Sequence, residues 1–267
     1  MSVLQSLFLG LLQGATEFLP VSSSGHLFIA QRLLGLNEPE LAFDLLLHLG
    51  TLAAVVFFLR SEIGEILSSL VRRPGNLWDP PSTWGRRDIW LVVLASIPTA
   101  VIGFAFHKTV ETGLTFSGIG TRYMVLTALL LMTHLNFRHK SEPDRIDWWE
   151  ALAIGVIQGA AVFPGLSRSG STIILALLLG VAPRRAAKFS FLISIPAILG
   201  GALVTMKSGV SRLPDATAMT VGFLASLAMG YLALAIVERL VVKGRFHRFA
   251  PYTLFLALLC FYLQSRV

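Results

Sequence analysis

Long apolar runs alternate with shorter polar segments along most of the chain. A helix needs about 20 mostly apolar residues to cross the hydrocarbon core of a bilayer. Six runs meet this requirement approximately, so each of them predicts a transmembrane helix. These runs are 42–59, 88–106, 118–136, 186–206, 216–237 and 249–265.

Two other apolar segments, 3–34 and 148–183, are interrupted in the middle by proline, glycine and serine. A helix that enters the membrane, breaks and returns on the same side fits each of them. Such irregular backbone persists at membrane depth only where protein buries it or where it lines a wet cavity. The predicted fold is therefore an all-α integral membrane protein with six transmembrane helices and two re-entrant broken-helix segments.

The composition agrees with a membrane protein. Of the 267 residues, 54% are hydrophobic and 14% are charged, whereas a soluble domain carries about 25% charged residues. The net charge is +7, and the Lys and Arg residues lie between the apolar runs, where they suit anionic lipid headgroups. We therefore expect membrane lipids as partners and no nucleic acid.

The distribution of Lys and Arg also predicts an orientation. If the six spans alternate and both broken segments are re-entrant, most of the 22 Lys and Arg residues lie on one side. Cytoplasmic loops carry the excess of positive residues. This layout places the loop 60–87 in the cytoplasm and both termini outside.

The two broken segments are related in sequence. Residues 9–25 align without gaps on residues 154–170, and eight of the 17 aligned positions are identical. Composition alone would give about one or two identities, so a duplication explains the match better than two unrelated packing segments rich in glycine and serine. The chain is read as one membrane domain, 1–267, with repeat units of about 1–140 and 146–267.

The repeat has a consequence for topology. Each unit contains one broken segment followed by three spans. Because three is odd, the second unit enters the membrane from the opposite side. This predicts an inverted-topology repeat, in which broken helices from both sides meet near the midplane and form a site.

The two copies differ in the residues that carry chemistry. Glu17 aligns with Val162, Ser23 with Arg168, and His26 with Ser171. Ionisable residues at membrane depth are costly and usually functional. Facing each other, the two copies would form one asymmetric site.

Each break also predicts an anion site. A proline stops the first half-helix, and serines cap the second half-helix. The N-terminus of that half-helix offers free N–H groups and the positive end of a dipole, and a guanidinium suits bidentate phosphate binding. The candidate phosphate contacts are Ser22, Ser24, Ser167, Arg168, Ser169, Ser171 and Thr172.

The first copy predicts the reactive groups. Ser23 is placed for nucleophilic attack if Glu17 or His26 takes its proton, and His26 can act as a general acid or base. Glu17 can instead hold a divalent cation, while Gln13, one helical turn earlier, either orients Glu17 or adds a ligand oxygen. Serines after proline are often only caps, but the combination with Glu17, His26 and Arg168 favours a functional site.

Asp44 and His48 share a helix face by their spacing of four residues. They either line the entrance of the site or only cap and pack the helix, and the sequence does not favour one of these two readings.

The segments Gln13–His26 and Pro164–Thr172 resemble the two signature motifs of the undecaprenyl-diphosphate phosphatase family, the BacA-type enzymes linked to bacitracin resistance. The resemblance extends to the length and the span pattern. It implies that undecaprenyl diphosphate is hydrolysed to undecaprenyl phosphate and inorganic phosphate, which recycles the lipid carrier of cell-wall synthesis. The functional set carried over by motif is Glu17, Ser22, Ser23, His26 and Arg168, with Gln13 supporting.

The same resemblance implies a divalent cation cofactor, Mg or Ca, a prenyl-diphosphate lipid substrate, and a bacterial inner membrane protein whose site opens to the periplasm. Many family members carry Glu at the position of Gln13, so cation binding here would fall mainly to Glu17 and the diphosphate. Two nucleophiles stay open, Ser23 and His26, with Ser23 favoured. A homodimer is kept as a prediction, and the alternative function is a transporter or flippase of the phosphorylated lipid carrier.

Overall fold

A computed structural model describes residues 1–36, 41–71, 84–112, 115–134, 145–207 and 215–266. Within these ranges every regular element is helical, which confirms the predicted all-α class. The α-helices are α1 (Val3–Phe18), α2 (Ser23–Leu33), α3 (Leu41–Phe58), α4 (Arg60–Val71), α5 (Arg86–Thr112), α6 (Phe116–Met132), α7 (Trp148–Ala160), α8 (Arg168–Leu178), α9 (Pro183–Lys207), α10 (Ala216–Val242) and, after a 3-10 turn, α11 (Ala250–Gln264).

Four helical stretches are long and apolar enough to cross a membrane: Arg86–Phe106, Pro183–Met206, Ala216–Val242 and Phe246–Gln264. A fifth span results if α3 and α4, which are bent by 70° relative to each other, are taken together. The apolar helix α6 has 17 residues, which is at the short end of the range for a full crossing. The described residues thus contain four or five candidate spans, against the six predicted.

Large apolar side chains cover the outside of these helices. Trp90 and Phe104 are each 69% exposed, and Leu203 is 62% exposed. A soluble monomer rarely exposes so much contiguous apolar surface. The chain is therefore a multi-pass membrane protein.

The segment after α3 differs from the prediction. Residues 60–87 were expected to form a cytoplasmic loop, but Arg60–Val71 is a helix with two buried side chains, Glu62 and Ile66. Because these two residues are four apart, they lie on one face and pack towards the protein. Residues 72–83 of the predicted loop lie outside the described residues.

Both predicted helix breaks are present. Helix α1 ends at Phe18 and α2 begins at Ser23, while α7 ends at Ala160 and α8 begins at Arg168. The N-cap of α2 is Ser22, whose side chain accepts a hydrogen bond from the backbone N–H of Gly25. Ser167 caps α8 in the same way with Gly170, as the repeat alignment predicts.

Glycines allow the first helix of each break to approach a long helix closely. A Cβ added at Gly10 would lie 2.5 Å from the carbonyl oxygen of Gly222, so α1 and α10 pack backbone to backbone. A Cβ at Gly155 would lie 2.1 Å from the carbonyl oxygen of Ala95, so α7 and α5 do the same. Small residues at such contacts are typical of helix pairs in membranes.

The other long helices also pair. Helix α3 packs against α10 and α9, and α6 packs against α11. The first helix of each broken segment, α1 or α7, packs on a long helix that is distant in sequence, α10 or α5. With the other helices around them, the two breaks lie in the interior of the bundle.

A buried ionic cluster ties α4, α5 and α9 together. Arg185 forms an ion pair with Asp88, and Lys188 forms one with Glu62. The guanidinium carbon of Arg185 lies 3.5 Å from the ring centroid of Trp84. Charges at such depth are stable only when they are paired, so this cluster fixes the three helices relative to one another.

Candidate active site at the crossing of the two helix breaks

The two helix breaks contact each other directly. The backbone N–H of Gly165 donates to Ser22 Oγ at 3.0 Å, and Ser167 Oγ donates to the carbonyl oxygen of Leu19 at 3.2 Å. A Cβ added at Gly170 would lie 3.0 Å from Pro20 Cβ. Helices α2 and α8 therefore begin next to each other, as the sequence predicts.

Glu17 is the centre of this crossing. Its Oε2 accepts hydrogen bonds from Ser23 Oγ at 2.6 Å and from Gln13 Nε2 at 2.9 Å. Its Oε1 lies 2.9 Å from Arg168 Nη2. Three of the predicted catalytic residues, Glu17, Ser23 and Arg168, are thus in direct contact.

The burial of this group explains why the charges are paired. The Glu17 side chain is 5% exposed and that of Arg168 is 16% exposed. An unpaired carboxylate or guanidinium at this depth would be strongly unfavourable. The ion pair compensates both charges, and the Arg168 side chain stays partly accessible.

Ser22 has an unusual backbone conformation at the start of α2. Its φ angle is 63°, and it is the one non-glycine residue with a positive φ among the described residues. Left-handed conformations cost free energy for residues with a Cβ, and they cluster at functional sites. Its carbonyl oxygen faces His26 Nδ1 at 2.8 Å and accepts from the Tyr123 hydroxyl at 3.4 Å.

His26 lies near Glu17, but its ring nitrogens contact the carbonyl oxygen of Ser22 and the hydroxyl of Tyr252. Its Nε2 is 2.7 Å from the hydroxyl of Tyr252, and its ring stacks on the Tyr252 ring with centroids 5.7 Å apart. Among the hydrogen bonds of the described residues there is none between His26 and Ser23. Of the two predicted proton acceptors for Ser23, the structure brings Glu17 and not His26 into contact with it.

The predicted phosphate contacts lie around the two N-termini, and several of their hydroxyls are bonded within the protein. Ser24 is half-buried, with Oγ 3.4 Å from Ser22 Oγ. Ser169 Oγ lies 3.2 Å from Ser167 Oγ, and Thr172 Oγ1 lies 2.6 Å from Ser190 Oγ. Ser171 is buried. A phosphate at this place would therefore meet mainly backbone N–H groups and Arg168.

The oxygen atoms near Glu17 fit a hard cation in part. Gln13 Oε1 is buried without a hydrogen-bond partner in the described part of the chain, and the Gln13 amide lies beside Glu17 Oε2. Carboxylate and amide oxygens suit Mg²⁺ and Ca²⁺. No group of three His, Cys, Asp or Glu residues that could hold a metal ion occurs among the described residues, so the remaining ligands would have to come from water and from a bound phosphate.

His48 belongs to the same polar group. Its Nδ1 lies 2.9 Å from Gln13 Nε2 and 3.5 Å from Glu17 Oε2, and its side chain is 32% exposed. Asp44, one turn earlier on α3, accepts from Gln31 Nε2 at 2.7 Å. Of the two readings of this pair, the site position is correct for His48, while Asp44 contacts α2.

Sequence reasoning did not identify Tyr123 and Tyr252 as site residues. Both lie within apolar spans, where a tyrosine usually packs or anchors the helix, and they are far in sequence from either motif. The signal that finds them is tertiary: both hydroxyls contact His26.

The chain matches a known protein family over most of its length. The profile of a family described as bacitracin resistance protein BacA matches residues 6–259. The chain belongs to the BacA family. Both breaks lie within the matched range, as do Glu17 and the three residues bonded to it, Gln13, Ser23 and Arg168.

Three relatives of this BacA-family chain are named undecaprenyl-diphosphatase. The protein from Desulfosudis oleivorans is 40% identical over 261 residues, covering 94% of this chain and 95% of the relative. That from Caldicellulosiruptor bescii is 38% identical and covers all of both chains. That from Methanobrevibacter smithii is 37% identical, covering 98% of this chain and 97% of the relative.

Proposed function

We propose that this BacA-family chain is an undecaprenyl-diphosphatase, which hydrolyses undecaprenyl diphosphate to undecaprenyl phosphate and inorganic phosphate. One observation carries the proposal. A hydroxyl, a carboxylate and a guanidinium, those of Ser23, Glu17 and Arg168, are in contact at the N-termini of two helices. This arrangement combines a nucleophile, a proton acceptor and a phosphate-binding group in one buried place.

The proposed first step uses Ser23 as the nucleophile. Its Oγ attacks the terminal phosphorus, and the bond from that phosphorus to the bridging oxygen breaks. The Oγ proton passes to Glu17 Oε2, which already accepts it in a hydrogen bond of 2.6 Å. Undecaprenyl phosphate leaves with the electron pair of the broken bond, and the terminal phosphate remains on Ser23.

In the second step, a water oxygen attacks the phosphoserine phosphorus, and the bond from that phosphorus to Ser23 Oγ breaks. Glu17 returns its proton to Ser23 Oγ, and inorganic phosphate leaves with the water oxygen and both water protons. Arg168 and the backbone N–H groups of α2 and α8 stabilise the charge on the phosphate oxygens in both steps. His26 as the nucleophile is less well supported, because both of its ring nitrogens already face hydrogen-bond partners.

For the cofactor we keep a divalent cation, Mg²⁺ or Ca²⁺. Glu17 and Gln13 Oε1 are the protein oxygens that would hold it, and the diphosphate would supply others. Such a cation neutralises charge on the phosphate oxygens when it is bound. Gln13 itself orients Glu17 through a hydrogen bond from its Nε2.

We also propose the inverted-topology repeat, with units of about 1–140 and 146–267. The helix contacts support it, because the first helix of each unit packs on a long helix of the other unit. Helix α1 of the first unit packs on α10 of the second, and α7 of the second packs on α5 of the first. The equivalent glycines Gly10 and Gly155 form both contacts, as a two-fold relation between the units requires.

The proposed membrane layout keeps six spans, with α6 as the short one and α3 as the first, and two re-entrant segments. The four helices of the broken segments have 16, 11, 13 and 11 residues, which is less than the approximately 20 that a crossing needs. The basic residues place the α3–α5 connection in the cytoplasm. That the site opens to the periplasmic side of the bacterial inner membrane is implied by the family and not by this layout, and it is part of the proposal.

The test is phosphate release by purified protein in detergent with undecaprenyl diphosphate as the substrate. We expect release by the wild type and a loss of about 100-fold or more in Ser23→Ala, because the nucleophile is removed. Ser68→Ala is the matched control, since Ser68 is exposed and, within the described part of the chain, its Oγ bonds the carbonyl oxygen of Glu65 on its own helix. Movement of the lipid across vesicle bilayers without phosphate release would contradict the proposal and support the flippase alternative.

A further inference from the structure

An aromatic cluster links the last helix of the chain to the first helix break. It consists of His26 on α2, Tyr123 on α6 and Tyr252 on α11. Tyr123 is fully buried, whereas Tyr252 is 45% exposed. The Tyr252 hydroxyl reaches His26 Nε2 at 2.7 Å across 226 positions of sequence.

The hydrogen bonds of His26 fix where its proton lies. A backbone carbonyl oxygen can only accept a hydrogen bond, so the contact of 2.8 Å with Ser22 requires the proton on Nδ1. A neutral imidazole has one donor and one acceptor nitrogen. Nε2 is therefore the acceptor, and Tyr252 donates its hydroxyl proton to it.

The hydrogen bonds that run from Tyr252 through His26 end at the carbonyl oxygen of Ser22. Its left-handed φ of 63° costs free energy, and the bond from His26 Nδ1 compensates part of that cost. Its Oγ accepts from Gly25 N–H and Gly165 N–H. The conformation of Ser22 therefore sets both the start of α2, where Ser23 lies, and the contact between the two breaks.

We propose that Tyr252 is a positioning residue for phosphate release. Its hydroxyl keeps the proton of His26 on Nδ1, and this hydrogen bond keeps Ser22 in the conformation that presents Ser23 to the phosphate. The Ser22 carbonyl oxygen and the Tyr252 hydroxyl favour the same tautomer. Without the Tyr252 hydroxyl, Nε2 loses its donor and the Nε2–H tautomer becomes more populated; in that tautomer a lone pair on Nδ1 faces the carbonyl oxygen of Ser22. The kinetic part of this inference rests on the proposed function, but the tautomer does not.

The tautomer is tested first, by ¹⁵N nuclear magnetic resonance of histidine-labelled protein in lipid nanodiscs. The chain has six histidines, and loss of one signal pair in His26→Asn assigns His26. We expect the Nδ1–H form in the wild type and a new Nε2–H population in Tyr252→Phe, which keeps the stacked ring. Unchanged His26 signals in Tyr252→Phe would overturn the proposal, whatever the protein catalyses.

The second test is kinetic. Tyr252→Phe should lower kcat about 10-fold or more through misplacement of Ser23, with KM little changed because Arg168 still binds the phosphate. Tyr231→Phe is the matched control, since Tyr231 is 40% exposed and packs its ring on Phe58. Equal kcat values for the two variants would overturn the positioning role.

Two further variants separate positioning from general damage. Asn can donate its amide proton to the carbonyl oxygen of Ser22, so His26→Asn should retain more activity than His26→Ala. Glycine adopts a positive φ without a steric penalty, so the Tyr252→Phe loss should shrink in a Ser22→Gly background. A loss of the same size in both backgrounds would mean that Tyr252 does not act through Ser22, and would refute the inference.

These outcomes are distinct from failure of the proposed function. A wild type that releases no phosphate contradicts the phosphatase assignment, while the ¹⁵N experiment still decides the role of Tyr252. A wild type that releases phosphate together with an unaffected Tyr252→Phe supports the phosphatase and rejects the positioning role.

Discussion

Glu17 and Arg168 form an ion pair of 2.9 Å between the two helix breaks. In the repeat alignment, Glu17 corresponds to Val162, and Arg168 corresponds to Ser23. Each break thus carries a different charge, and the ion pair occurs once instead of twice. If the proposed duplication is correct, it gives one asymmetric site, in which the first break provides the carboxylate and the second provides the guanidinium.

Removal of Arg168 should affect both stability and turnover. Arg168→Ala leaves a buried carboxylate without its cation, and breaking a buried pair costs about 3–5 kcal/mol; phosphate release should fall about 100-fold or more. Thermal unfolding in detergent and phosphate assays check the two effects. Arg184→Ala, which breaks an ion pair whose Arg side chain is 70% exposed, should cost no more than about 1 kcal/mol.

Replacement of both charges gives a sharper form of this prediction. The double variant Glu17→Gln with Arg168→Met should unfold at a higher temperature than Arg168→Ala, because it leaves no isolated charge. It should be inactive. A double variant that is less stable than Arg168→Ala would contradict the electrostatic explanation.

A covalent intermediate should form on Ser23. With ³²P in the terminal phosphate of the substrate, rapid acid quenching should trap label on the wild-type protein. Ser23→Ala should carry none, whereas His26→Ala should still be labelled at a reduced rate. Label on His26 in the Ser23→Ala protein would instead make His26 the nucleophile.

Chelation should abolish phosphate release if the proposed cation binds at Glu17. Activity should return on addition of Mg²⁺ or Ca²⁺, and Gln13→Leu should raise the cation concentration that gives half-maximal activity, because it removes one oxygen ligand. Titration of the cation against turnover measures this shift. Gln5→Leu is the control, since the Gln5 side chain only caps the N-terminus of α1.

The close contact between α5 and α7 should not tolerate a methyl group. A Cβ at Gly155 would lie 2.1 Å from a backbone oxygen, so Gly155→Ala should destabilise the protein by about 1–3 kcal/mol. Gly103→Ala, on α5, meets no atom within 4 Å and should be neutral or slightly stabilising, because alanine is the better helix former. Unfolding in mixed detergent micelles with increasing dodecyl sulfate compares the two variants, and equal stabilities would contradict the predicted clash.

The buried ion pair of Arg185 with Asp88 should be structural. Asp88→Asn removes this carboxylate while the Arg185 guanidinium stays buried on the face of Trp84, so stability should fall by more than it does on loss of an exposed ion pair. Glu238→Gln, which removes the partner of exposed Arg184, is the control and should change stability by about 1 kcal/mol at most. Thermal unfolding in detergent measures both, and a fall of similar size in the control would reject the role of burial.

Much of the fold could be predicted because its signals are local in sequence. Apolar runs of nearly span length predict helices, and proline followed by serine predicts the breaks and their caps at Ser22 and Ser167. The helix Arg60–Val71 was missed, because the signal for a helix was an apolar run of span length, and this helix has only 12 residues and is amphipathic. The number of full crossings also stays a prediction, since α6 is too short to decide it.

The sequence by itself determined the helical membrane class and the two related breaks, and it predicted a catalytic set of Glu17, Ser23, His26 and Arg168, because spacing and repeat alignment carry this information. Tertiary structure decided which groups touch. It paired Ser23 with Glu17, added His48 to the same polar group, and placed Tyr252 on His26. Contacts across 226 residues depend on how distant helices pack, and no pattern along the chain specifies that packing.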